Sequence, residues 1–244
     1  MKLSKQEKAA RKAAFRAMSP GKKLEHIRTY YRWPILLGLA VLIVLGSVVR
    51  RELTKKEPIV YLALVNVSVG TDTERALTEG FLEADGADAR RKEVYLYRDL
   101  YLSDNADTLN HEYAYASQMK VMGAVQTQKL DLVLMNREGY DLLSRKGYLA
   151  DLSALPDALG FDRPRQLAAL LTENEVILSD NSLEFMLGEA ETEEQITQTV
   201  PNAISVASLP LFQSAGFDGE LYLGLVANSP RAAAAARFAA YLLS

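Results

Sequence analysis

The sequence predicts an α/β domain, a mainly parallel sheet with helices on both faces, preceded by a single transmembrane helix. Three observations carry this. Apolar, β-branched runs such as 59–67 and 131–135 alternate with segments of helical period, the order expected of strand–helix–strand units. Residues 33–49, WPILLGLAVLIVLGSVV, contain no charge and are bounded by Arg32 and Arg50. Charge is also divided along the 244 residues: 1–32 hold ten Lys and Arg against Glu7 and Glu25. From Glu57 onward, 14 basic residues face 28 acidic ones.

The division predicts two environments for one chain. A basic tail over 1–32 leads to the predicted transmembrane helix over 33–50, and a polar linker, 51–58, ends in Pro58. Tyr30, Tyr31 and Trp33 fall where amphipathic rings favour a headgroup zone, so the lipid bilayer is the expected partner of 33–50. The long basic lead and the lack of an A-x-A site disfavour a cleaved signal peptide. Ten basic residues before the span against four soon after place the N-terminus in the cytoplasm and the body, 59–244, outside the cell membrane.

Within the body, 59–67 reads as a strand buried on both faces. Thr71 and Glu74 form a capping box for a helix reaching Ala84. Residues 93–102 form a second strand, and Asn110 caps a helix over 111–128 with its stripe at Tyr115, Met119, Met122 and Gln126. The third strand, 131–135, meets Asn136, which caps a helix ending at Gly147. RPRQLAALL (163–171) and EEQITQTV (193–200) read as helices around a strand EVILS (175–179). Strands at 203–209 and 220–228 follow, then a last helix capped by Ser229 with Pro230 at N1 and a stripe of Ala234, Phe238, Tyr241 and Leu242.

In parallel sheets, ligands bind at the carboxyl ends of strands, where helix N-termini point. The candidate ligand-binding residues are therefore Asn66, Ser68 and Thr71 after the first strand, Asn136 after the third and Asn228 after the last. Asn136 and Thr71 serve equally as caps of their own helices.

Other chemistry is sparse. There is no cysteine, which excludes disulfides, thiol nucleophiles and cysteine metal sites. His26 and His111 are the only histidines, so a triad outside the membrane would have His111 as its sole base, a lone residue at a helix start. No Walker loop, G-x-S-x-G, G-x-G-x-x-G or H-E-x-x-H motif occurs. The acids of 85–88 and 103–107 miss the calcium-loop spacing, and 188–194 reads as a solvated acidic surface. Tyr95, Tyr97 and Tyr101 line a pocket or simply alternate along a half-buried strand. The expectation is no enzyme, no catalytic residue, no metal and no cofactor, and an acidic body disfavours nucleic acid.

Residues 131–156, DLVLMNREGYDLLSRKGYLADLSALP, and 220–243 together resemble extracellular solute-binding proteins of the type II periplasmic-binding fold. There a first-lobe strand ends near the cleft, a short helix follows, and a Gly-Tyr-Leu-x-Asp-Leu turn leads onward. The resemblance implies one lobe of such a protein, with 153–203 as a rudimentary second lobe. It also implies binding of a small solute, or service as an accessory to an ABC-type transporter permease or another membrane protein. The alternative is an extracytoplasmic protein-interaction or scaffold domain of a membrane complex without a small ligand. An anchored hydrolase acting through carboxylates ranks third.

Overall fold

The computed structural model describes residues 32–105, 110–153, 168–187, 192–217 and 219–243, with residues 14, 16, 17, 19 and 21. It divides into two units, Met1–Lys55 and Lys56–Ser244.

The first unit contains helix α1, Arg32–Thr54. This corrects the prediction of a transmembrane segment over 33–50. Among the described residues, no helix is long and apolar enough to cross a membrane. The single-pass anchor falls with that finding, and so does the cell-membrane placement with a cytoplasmic N-terminus and an extracytoplasmic body.

The second unit is an α/β domain around one six-stranded sheet. Its strands are β1 (Glu57–Val65), β2 (Lys92–Leu100), β3 (Leu132–Met135), β4 (Leu171–Asp180), β5 (Gln195–Ser205) and β6 (Tyr222–Leu225). The order is β2-β1-β3-β6-β5-β4. Only β1 with β2 and β1 with β3 are parallel; β3–β6, β6–β5 and β5–β4 are antiparallel. The sheet is thus mixed rather than mainly parallel. Successive strands β1, β2 and β3 are joined through helices, as parallel neighbours require, whereas β4 and β5 face each other as a long hairpin.

Helices cover both faces. Helix α2 runs as Thr71–Arg75, a π turn Ala76–Gly80 and Phe81–Ala84. With α6 (Pro210–Ser214) and α7 (Ala232–Leu242) it packs on the face carrying Val60, Leu62, Leu64, Leu132 and Leu134. Phe81 meets Phe238 edge-on, their rings 4.9 Å apart, at the centre of that layer. The π turn has a packing reason. The Ala76 carbonyl accepts from the Tyr241 hydroxyl at 3.0 Å, and a Cβ at Gly80 would lie 2.6 Å from that oxygen. Helices α3 (His111–Gln126) and α4 (Arg137–Arg145) cover the other face, against Ala63, Val65, Val133 and Met135.

Several local expectations change. Helix α3 buries Ala114, Ser117, Val121, Ala124 and Val125, leaving Tyr115 and Met119 exposed, because small residues let it lie close to the sheet. The predicted helix 193–200 is strand β5, in keeping with its β-branched Ile196, Thr197, Thr199 and Val200. Of the predicted helix 163–171, residues 163–167 lie outside the described residues, 168–170 are helical and Leu171 opens β4. Helix α7 takes Arg231 as its N-cap, while Ser229 and Pro230 precede it.

Beyond two pairs, Ile204–Leu223 and Ser205–Tyr222, β5 and β6 part. Residues Leu149–Leu152 enter the gap. Leu149 bridges Val226, the Ala150 amide donates to Leu225 at 2.8 Å and the Leu152 amide to Pro201 at 2.7 Å. Gly224 permits this, since a Cβ there would sit 2.8 Å from Leu149 Cδ2. From Pro201 outward β5 has only β4 as strand neighbour, so the hairpin continues as an arm.

At the other end of the sheet lies a buried carboxylate. Asp131 is 0% exposed and precedes β3. It accepts from the Tyr61 amide at 2.8 Å, the Ser229 hydroxyl at 2.6 Å and Arg231 Nε at 2.8 Å. Arg231 also lies 4.6 Å over the Tyr61 ring and donates to the Gln128 carbonyl. One side chain thus ties β1, β3 and the start of α7 together. Asp131→Ala is expected to cost about 3–5 kcal/mol, since it strands the guanidinium and two donors. Urea unfolding measures this, with Asp131→Asn retaining part of the loss.

Candidate functional site

Asn66 ends β1 in the left-handed region, φ 56°. Its side-chain amide donates to the Leu102 carbonyl and its carbonyl accepts from the Leu102 amide, both at 2.7 Å. Both polar ends are therefore spent on holding the end of β2. Ser68 and Thr71 are exposed, and Thr71 is no cap: Gly70 occupies the N-cap, and Glu74 is engaged by Arg98 instead of closing a capping box.

Asn136 caps α4, its side-chain oxygen accepting from the Gly139 amide at 2.9 Å. A Cβ at Gly139 would lie 2.9 Å from Val65 Cγ1, so glycine lets this helix start close to β1. Asn228 donates to the Val125 carbonyl at 2.8 Å, closing the end of α3. It follows an antiparallel strand, so it stands at the opposite end of the sheet from Asn66 and Asn136. The parallel-sheet expectation grouped these residues; the reversed direction of β6 separates them.

Asn136 does border an open depression, shared with Asp104, Asn105, Arg137, Asp141 and Arg145. Two of its charges engage each other. Arg137 Nε lies 3.0 Å from Asp141, which also accepts from Asn174 at 2.7 Å. Hydrogen bonding to Tyr222 raises the Arg137 pKa, opposed by burial and aided by Asp141. The guanidinium also lies over the Tyr140 and Tyr222 rings, which are 4.8 Å apart. Among the described residues no group of three or more His, Asp or Glu is placed to hold a metal ion.

Beneath the depression, α4 is bolted to the arm. The Tyr140 hydroxyl lies 2.8 Å from both the Thr172 carbonyl and Asn202 Oδ1, so one proton serves two acceptors. Asn202 donates to Ser144 at 2.7 Å, and Ser144 to the Glu175 carbonyl at 2.8 Å. Tyr140, Ser144 and Asn202 are fully buried. Burial raises the Tyr140 pKa well above that of free tyrosine. The root of the arm is therefore rigid.

Its far end is another matter. Leu178, Leu183, Phe185, Met186, Leu187 and Ile196 are 42–81% exposed. They surround helix α5 (Ser182–Met186) at the turn of the hairpin. Asn181 closes that turn: its side chain donates to the Thr192 carbonyl at 3.0 Å and accepts from the Glu194 amide at 2.6 Å. The Ser182 amide, 2.9 Å from Asp180, lowers that carboxyl's pKa, with Gln195 adding to it. The sequence reading missed this surface. Its signal was the adjacency of VIL (176–178) and LEFML (183–187) around a turn-forming Asn181, together with the β-branched 196–200. Tyr95 and Tyr97 form a cluster with Tyr61 on the sheet, the rings of Tyr95 and Tyr97 4.9 Å apart.

Compared with family models, curated proteins and solved structures, the chain matches none.

Two outcomes follow from these contacts. Asn66→Ala is expected to lose about 2–4 kcal/mol through the strained φ and two unmet backbone groups, and Asn66→Gly about 1 kcal/mol less. Chemical denaturation of both variants measures the difference. Because the folded state holds Tyr140 neutral, its contribution is complete below the ordinary tyrosine pKa of ~10 and is lost as pH rises beyond it. Tyr140→Phe is expected to flatten the fall in melting temperature between pH 9 and 11, as thermal melts across that range would register.

Proposed function

We propose that this chain acts as a protein-interaction domain, with the end of the β4–β5 arm as its contact surface. The observation that carries the reading is the group of six large apolar side chains exposed around α5. Water-exposed apolar surface of this kind, rimmed by polar residues, is characteristic of contact sites. The rigid root supports the same reading. A surface held in place by Tyr140, Asn202 and Ser144 loses little conformational freedom on binding.

Small-solute binding, alone or as an accessory to an ABC-type transporter, is the second reading, and the depression beside Asn136 favours it. Against it, both polar ends of Asn66, the side-chain oxygen of Asn136 and the side-chain amide of Asn228 are engaged by the protein's own backbone. A pocket with convergent free polar groups is what small ligands require.

A benzophenone amino acid at Met186, and separately at Leu178, tests the proposal in cells. Both positions are expected to yield the same crosslinked protein, absent with the probe at Glu79 and lost on Leu183→Ser with Leu187→Ser. A solute that raises the melting temperature of the wild type, but not of Asn136→Ala, would overturn it in favour of solute binding.

A further inference from the structure

The chemistry of the partner can be read from charge. Residues 166–230 contain no Lys or Arg, whereas acids recur throughout. On the arm itself Glu173, Glu175, Asp180, Glu193 and Glu194 are exposed. Asp180, Glu193 and Glu194 flank the apolar group at the turn, where Asp180 pairs in register with Gln195 and Ser179 with Ile196, while Glu173 and Glu175 line the same arm toward its root. β4 is also the last strand of the sheet, so its outer edge has no strand neighbour among the described residues. Near the root that edge is occupied locally, because the Glu175 amide donates to Asn174 and its carbonyl accepts from Ser144. Toward the tip, no side chain of α4 is bonded to it among the described residues.

Resting on the protein-interaction reading, we infer that the arm takes a basic segment of another protein, whose apolar anchors meet Leu183, Met186 and Leu187 while its Lys or Arg meet Glu175, Glu193 and Glu194. Charge decides among occupants. A second copy docking arm to arm would set acid against acid along strands that carry no Lys or Arg of their own. An anionic bilayer or nucleic acid is repelled in the same way. A basic segment gains steering at long range and contact at short range, the first of which salt screens.

The test uses the full-length protein and three fluorescein-labelled 12-residue peptides: alternating Lys and Leu, alternating Glu and Leu, and alternating Lys and Ser. Anisotropy is expected to show binding of the Lys/Leu peptide that weakens with salt and exceeds that of either other peptide at least tenfold. The affinity should fall at least tenfold in Glu175→Lys with Glu193→Lys and Glu194→Lys, and likewise in Leu183→Ser with Met186→Ser and Leu187→Ser. Both variants alter exposed side chains, and unchanged circular dichroism and melting temperature would establish that they fold. Equal binding of the Glu/Leu peptide, lost only in the serine variant, would overturn the basic partner while leaving the contact surface standing. No peptide binding, together with no crosslink from Met186, would remove both. Binding of phosphatidylcholine vesicles that is lost in the serine variant would overturn a protein partner in favour of a lipid surface.

Discussion

The Asp131 carboxylate is the contact on which the rest of the domain depends. A buried charge is tolerated only when donors surround it. Here they come from Tyr61, Ser229 and Arg231, in segments far apart in the chain. Satisfying one anion therefore requires that β1 and β3 be paired and that the chain beyond β6 return to them. The return also sets α7 on its face of the sheet, where Phe238 and Tyr241 pack against Phe81. Burial of the whole apolar core supplies most of the energy, each large side chain contributing ~1.5–3 kcal/mol. Asp131 supplies the alignment.

That alignment reverses β6, and the reversal shapes the other half of the molecule. An antiparallel β6 presents its edge to β5 for only two residue pairs before Leu149–Leu152 takes the space between them. The β4–β5 hairpin must then find its support elsewhere. It finds it in α4, through Tyr140, Ser144 and Asn202, and its far end stands clear of the core. One face of the domain is thus a conventional sheet–helix layer, and one edge is an arm with a rigid base and an apolar, acidic end. At the strand ends, where an α/β protein would hold a small ligand, Asn66, Asn136 and Asn228 bond to the protein's own backbone.

Much of this was legible in the sequence. The strands β1, β2 and β3, the helices after β1 and β3, the Asn136 cap and the Ala-rich α7 all follow from periodicity and capping residues. Local chemistry was less certain where two segments compete for one residue. Thr71 reads as a cap, yet Glu74 is drawn to Arg98 on β2, and Gly70 is left at the N-cap. Tyr115 and Met119 read as a buried stripe, yet the sheet accepts the small side chains of α3. The apolar α1 sequence read as a membrane span, whereas the described residues of that helix fall short of one. The β5 segment read as a helix because its polar residues hid the β-branched alternation.

The sequence by itself determined that the body is α/β, which face of each early element is apolar, and that its charge is acidic with no cysteine chemistry. These properties reside in residues close together in the chain, where period, capping and composition act directly. Only the tertiary structure decided strand direction in the second half of the sheet, the union of Asp131 with Arg231, and the division of Asn228 from Asn66 and Asn136. Each of those depends on contacts between segments far apart in sequence, and no local pattern encodes which distant partner will satisfy a buried charge or an open strand edge.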